Sequence, residues 1–299
     1  MLPFSYIVFT TVLSQGTFYN AAKVLNVTPS AISHSINQLE QELGFPVFYR
    51  SRSGVSLTAN GEKLLPLIQQ IINTQERITQ LAKQIQGLDI GIIRIGAFSS
   101  ACINWLPPVI QSFKKKYPKV KITVKQAGFA EITQEVKNGS LDIGITMLPA
   151  KEPGILSQKL IEDEIYCVAP KGFATANKKS VSQADLRDYN FILQKSDYDW
   201  DTKAALDHYQ ISPTAIQFSI DDQSIIAMVE AGLGLGILPA LALQKNTGKV
   251  EILPFEEPFF RKIGLVTTKS ASITPSNKAM IKQFQNFIAS TYPNSVLTI

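Results

Sequence analysis

Apolar positions between Thr17 and Leu43 fall into two short helical stripes separated by a turn. Ala21, Ala22 and Leu25 share one face of the first, and the small alanines let a second helix cross closely. Asn26-Val27 makes the turn. Thr28 is a good N-cap, and Pro29 takes the first helical position, where its missing N–H costs nothing. Ile32, Ile36, Leu39 and Leu43 then recur at helical spacing as an inward stripe. The opposite face carries Ser30, Ser33, His34 and Asn37, which are short, polar and hydrogen-bonding. Ahead of this pair, residues 3–14 predict a helix with Phe4, Ile7, Val8 and Val12 inward, ended by Gly16. The build is that of a helix-turn-helix, whose second helix enters the major groove of DNA N-terminus first. A helical hairpin in an ordinary core would show the same stripes.

Two strand-like pieces follow, Val47–Tyr49 and Val55–Leu57, around a Ser-Gly turn signal in Ser51–Gly54. They predict a hairpin, or wing, with Arg50 and Arg52 at or near its tip. These arginines either touch the DNA backbone or minor groove, or are solvated surface charges. Residues 59–86 form the longest helical pattern. Leu64, Ile68, Ile71, Gln75, Ile78, Ala82 and Ile85 repeat as a heptad seam with one polar position. Leu65 and Ile72 widen it, and Pro66 predicts an early turn or a bend. Such a face needs a cover, either a second copy that pairs two DNA-binding heads or the rest of its own chain.

From residue 90 the pattern changes to apolar strands alternating with amphipathic helices. Strands are expected at Ile92–Ile95, Lys121–Lys125, Leu141–Thr146, Ile165–Ala169, Phe191–Leu193, Ile216–Ser219, Gly236–Leu238 and Ile263–Thr267. Helices are expected between them, among others at 103–117, 130–138 and 275–291. This alternation means βαβ units, a mostly parallel sheet and, at this length, two linked α/β lobes.

Composition narrows the partners. The chain has 299 residues, 45% hydrophobic and 18% charged, which suits a compact globular protein of two or three domains. A net charge of +5 and a pI near 9.0 fit a nucleic-acid partner without demanding one. Residues 1–87 hold only six Lys/Arg against four acids, so the case for DNA rests on pattern and not on charge. Cys102 and Cys167 stand far apart with no CxxC, which suits a reducing cytoplasm. The two histidines, His34 and His208, form no metal set and no triad. No metal, cofactor or enzyme activity is therefore expected. The apolar N-terminal tract has no basic residue before Lys23, a poor signal peptide, and the run Leu233–Leu243 is broken by glycines and Pro239. Neither export nor a membrane span is expected, and the location is cytoplasmic.

The residues expected to meet DNA are Thr28, Pro29, Ser30, Ser33 and His34 at the start of the second helix, plus Arg50 and Arg52 in the wing. Capping alone also explains Thr28. In the α/β part, the strand Ile92–Ile95 runs into Ser99 and Ser100 before a helix. Open α/β sheets bind ligands at strand C-termini, where serines and free N–H groups suit a carboxylate. One of these serines as a plain cap is the competing reading. Met147 follows the strand 141–146 and should lie near the same cleft. Gly232-Leu-Gly234-Leu-Gly236 looks like a dinucleotide loop, but it follows a helix and precedes a strand, so Gly232 reads as a C-cap. Cys102 with Cys167 makes a weak redox pair, and Lys114 to Lys116 read as solvated surface.

Taken in order, these parts resemble the LysR-type transcriptional regulators over essentially the whole chain. The carrying residues are Gly16-Thr17-Phe18, Ala21-Ala22, Val27 to Ser33, Leu39-Glu40, Leu43-Gly44, Phe48, Arg50 and Leu57 to Gly61. Gly139-Ser-Leu-Asp142-Ile-Gly144 and Val229 to Pro239 resemble the family's effector-module signatures. The resemblance implies an N-terminal winged helix-turn-helix (1–58), a linker and dimerisation helix (59–87), and a two-lobed module like a periplasmic binding protein (88–299). Lobe 1 would hold about 88–162 plus 268–299 and lobe 2 about 163–267, with crossings near Ile161–Asp163 and Thr267–Lys269. It implies a homodimer, often a dimer of dimers, on double-stranded promoter DNA. A small-molecule effector between the lobes, such as a small carboxylate or amino acid, would switch promoter activity. By the same resemblance, Lys195, Ser196 and Asp222 face the cleft from lobe 2, although Asp221 and Asp222 would repel an anion. The family commonly has arginine where this chain has His34, which offers fewer donors to a guanine. A small-molecule binding or transport protein is the alternative, opposed by the first 58 residues.

Overall fold

The computed structural model describes residues 3–51, 54–85, 91–177, 179–194, 200–210, 216–219, 222–245 and 247–299. The chain divides into two units, Met1–Leu88 with Asn138–Ser140, and Asp89–Lys137 with Leu141–Ile299.

The first unit opens with α1 (Phe4–Gln15), α2 (Phe18–Leu25) and α3 (Pro29–Leu43). Local chemistry fixes their ends. Thr17 Oγ1 accepts the Asn20 N–H at 3.1 Å, and Thr28 Oγ1 accepts the Ala31 N–H at 3.2 Å. Asn26 turns the chain through a left-handed φ of 56°, and Gly44 closes α3 at φ 77°. Val8, Phe9, Val12, Ala21, Ala22, Ile32, Ile36 and Leu39 are buried together. The strands β1 (Phe48–Ser51) and β2 (Gly54–Leu57) pair antiparallel from Phe48↔Leu57 to Ser51↔Gly54.

The helix α4 (Ala59–Ile85) then splits the expected seam. Leu64, Leu65, Ile68 and Ile72 pack on the core of this unit. Leu67, Ile71, Ile78 and Leu81 remain exposed. The uncovered stripe is thus rotated from the expected one, because the first turns of α4 serve the wing and α1. Pro66 lies in the third turn, where it removes one helical hydrogen bond.

The second unit carries one nine-stranded sheet of order β4-β3-β5-β10-β6-β9-β7-β8, with β11 paired to β6. Its elements begin β3 (Ile92–Ala97), α5 (Ser99–Asn104), α6 (Leu106–Lys116), β4 (Lys121–Gln126), α7 (Phe129–Lys137) and β5 (Ile143–Leu148). There follow β6 (Ile155–Pro170), α8 (Gln183–Leu186), β7 (Phe191–Gln194), α9 (Trp200–His208), β8 (Ile216–Ser219), α10 (Asp222–Glu230), β9 (Leu235–Pro239) and α11 (Ala240–Leu243). The chain ends with β10 (Val250–Thr268), α12 (Lys269–Ser272), α13 (Pro275–Thr291) and β11 (Val296–Leu297). The three strands of each lobe are parallel, β4-β3-β5 in one and β8-β7-β9 in the other. The long strands β6 and β10 run antiparallel between them, so the sheet is mixed and not mostly parallel.

The same two strands are the crossings. From Lys262↔Leu148 to Thr267↔Ile143, β10 pairs with β5. The chain has therefore rejoined lobe 1 before the expected Thr267–Lys269. The expected helix 103–117 is two helices that meet at Trp105. Pro107 and Pro108 disfavour helix in the residue ahead and fit only a fresh first turn. One buried cluster spans both lobes, from Ile93, Trp105 and Phe284 to Ile192, Ile225 and Leu241. A second, around Phe191, Tyr209 and Phe255, belongs to lobe 2.

Candidate functional site

The first candidate face is the start of α3. Thr28, Pro29, Ser30 and His34 are exposed and Ser33 is half-buried. Because Ile32, Ile36 and Leu39 are sunk in the core, this polar face is fixed by the stripe behind it. The Thr28 and Ser30 hydroxyls lie 2.9 Å apart, so the capping oxygen and its neighbour already hydrogen-bond.

The wing is tied to α3 by a device that sequence patterns do not reveal. Glu40 accepts the Val47 N–H at 2.8 Å and the Phe48 N–H at 3.3 Å, and its other oxygen accepts from Arg50 Nη2 at 3.2 Å. Arg50 also donates to Asn37 Oδ1 at 2.7 Å and stacks over the Phe18 ring, 4.8 Å from its centre. Arg50 thus latches the wing to α3 and α2. Arg52 lies outside the described residues. The one sequence signal for Glu40 is a single acid set among the inward positions of α3.

The second candidate face is the C-terminal edge of β3 and β5 in lobe 1. Ser99 and Ser100 start α5 at the C-terminal end of β3. Through the pairing Ala97↔Ile145, the end of β5 carrying half-buried Met147 lies at the same edge. Phe98 and Phe129 meet edge-on there, with ring centres 5.0 Å apart. Ser99 is half-buried, whereas Ser100 is buried. The Ser100 hydroxyl faces Arg261 Nη2 at 3.4 Å and so points inward. On lobe 2, Asp222 begins α10 and is half-buried. Lys195 and Ser196 lie outside the described residues. Gly232 sits just past α10 at φ 76°, as a helix terminator does.

Both thiols are pushed up by burial, Cys102 to about 11 and Cys167 to about 12. Among the described residues no helix is long and apolar enough to cross a membrane, and no group of His, Cys, Asp and Glu is placed to hold a metal.

A DNA-reading head and a two-lobed ligand module on one chain define a ligand-responsive transcriptional regulator. A family model for the LysR substrate binding domain matches residues 86–289, and one for the bacterial regulatory helix-turn-helix protein, lysR family, matches residues 5–62. The probable transcriptional regulator LrrA of Synechococcus elongatus is 30% identical, covering 90% of this chain and 91% of its own. The regulator AlsR of Bacillus subtilis is 29% identical, covering 78% and 79%. Among solved structures, a full-length OxyR variant from Pseudomonas aeruginosa superposes with a TM-score of 0.73 at 25% identity, covering 95% and 94%. Full-length CbnR in complex with its target DNA gives a TM-score of 0.68 at 19% identity, covering 96% and 99%, a likeness of fold. The chain belongs to the LysR family of transcriptional regulators. Its partners are DNA and a small-molecule effector.

Proposed function

We propose that this regulator acts in the cytoplasm as a homodimer, or a dimer of dimers, and catalyses no reaction. Thr28, Pro29, Ser30, Ser33 and His34 meet the operator, with Ser33 and His34 at base edges. Arg52 supplies a backbone or minor-groove contact from the wing, and Arg50 sets the wing's angle. The observation that carries this reading is the exposed polar face of α3 held against a buried apolar stripe. Changing Ser33→Ala together with His34→Ala weakens specific binding by about 1–3 kcal/mol for each base edge that is no longer read. A gel shift with the promoter fragment upstream of its own gene tests this, and unchanged affinity in the double variant contradicts it.

The exposed stripe Leu67, Ile71, Ile78 and Leu81 supports pairing of two heads through α4, as two half-sites require. The effector occupies the cleft bounded by Ser99, Met147, Lys195, Ser196 and Asp222, with Phe98 and Phe129 as its aromatic wall. Ser100 supports that wall from behind. A thermal-shift panel of small acids and amino acids, run on wild type and Ser99→Ala, identifies the class. Equal shifts in both proteins remove Ser99 from the site.

A further inference from the structure

The most heavily enclosed ion pair among the described residues lies where the two lobes join. Asp163 is 0% exposed on β6, and Arg261 is 4% exposed on β10. Arg261 donates to Asp163 Oδ2 from Nε at 2.8 Å and from Nη2 at 2.7 Å. The other carboxylate oxygen, Oδ1, accepts the backbone N–H of Leu241 at 2.9 Å, at the start of α11 after lobe 2's last parallel strand. The guanidinium also covers the Phe98 ring at 5.0 Å, and the same Nη2 faces the Ser100 hydroxyl at 3.4 Å. Asn104 Nδ2 adds a second link, donating to Leu241 O at 2.8 Å. The strand holding Asp163 is itself fixed, because β11 pairs with it at Glu162 and Asp163.

We propose that Arg261 is a positioning residue. With Asp163 it forms a buried latch between the lobes, tying the cleft wall at Phe98–Ser100 to α11. A ligand that moves Phe98 or Ser100 then changes the angle between the lobes through this latch. The charge of Arg261 is already matched by Asp163, so it frames the pocket and is not the receptor for a ligand carboxylate. Burying such a pair is costly and is recovered only with good geometry and satisfied hydrogen bonds, which suits a part that specifies one arrangement. The proposal rests on the effector-cleft reading only for what moves the latch. The latch itself is testable without any ligand.

The test uses the full-length chain with Cys102→Ser and Cys167→Ala, spin-labelled at Ala289→Cys in lobe 1 and Asp188→Cys in lobe 2. Labelled chain is diluted with unlabelled chain so that distances within one subunit dominate. Pulsed electron resonance should give one narrow distance for the parent. Removing both charges with Asp163→Asn and Arg261→Met should leave a cooperative melt but broaden and shift that distance. Arg261→Lys, which keeps the charge but loses the two-point grip, should fall between. A double variant that folds and superposes on the parent overturns the proposal. Should it not fold, hydrogen exchange of the unmodified protein decides. Leu241 should be among the slowest amides of its unit, and exchange within seconds overturns the latch. Failure to find an effector leaves both readouts unaffected, so the two readings fail separately.

Discussion

Replacing Glu40 by alanine removes the carboxylate that closes the wing onto the recognition helix. Its side chain is only 17% exposed, and the two amides it satisfies belong to Val47 and Phe48, 0% and 4% exposed. A hydrogen bond to a charged acceptor contributes about 1.5–3 kcal/mol, and a buried donor left without a partner costs a similar amount. The 2.8 Å bond to Val47 counts in full and the 3.3 Å bond to Phe48 counts for less. The expected loss is therefore about 2–4 kcal/mol. The exposed contact to Arg50 adds little stability but sets where the wing points. At about 4–8 °C per kcal/mol for a unit of this size, the melting step of the head should fall by roughly 10 °C or more. Both tryptophans, Trp105 and Trp200, lie in the other unit, so the far-UV circular dichroism step that has no counterpart in tryptophan fluorescence belongs to the head, while tryptophan fluorescence follows the effector module. Only the first should move. Glu40→Gln keeps an acceptor oxygen and should fall about half as far. A Glu40→Ala head that melts within about 2 °C of wild type would refute the reasoning.

Further outcomes follow from the same geometry. Ile78→Glu with Leu81→Glu places charge on the exposed stripe of α4 and should shift the species seen by light scattering toward monomer; an unchanged mass would move the dimer contact elsewhere. With its thiol raised to about 11, Cys102 has about one part in a thousand as thiolate at pH 8, so alkylation should be slow there and rise steadily toward pH 11. Rapid labelling at pH 7 would reopen a redox role for Cys102.

Local patterns are the most readable part of this chain. The cap at Thr28, the stripe of α3, the strand at 216–219 and the helix at 275–291 follow directly from spacing and turn chemistry. The long strands do not. Ile165–Ala169 and Ile263–Thr267 stand out as compact runs, whereas elsewhere β6 and β10 mix apolar with charged residues, the buried Asp163 and Arg261 among them, so the pattern there has no strand period to read. Nothing local in the sequence pairs Arg261 with Asp163, which stand 98 residues apart. Ser100 reads in sequence as facing a ligand, yet the register of α5 turns it toward that buried pair. Periodicity alone does not show that the seam of α4 is shared, because Leu64 and Ile68 satisfy the same repeat as the exposed Ile71 and Ile78 while serving the head's own core.

Sequence-specific reading of DNA by α3 is the central claim. The direct measurement is selection of bound fragments from a random double-stranded DNA pool by the full-length protein. Ser33→Ala/His34→Ala runs alongside as the comparison. The expected result is a two-fold symmetric motif enriched by wild type, with half-sites about one helical turn apart, or a multiple of it, and absent or degenerate in the double variant. No enriched motif with wild type, or the same motif recovered at equal strength by the variant, would contradict it.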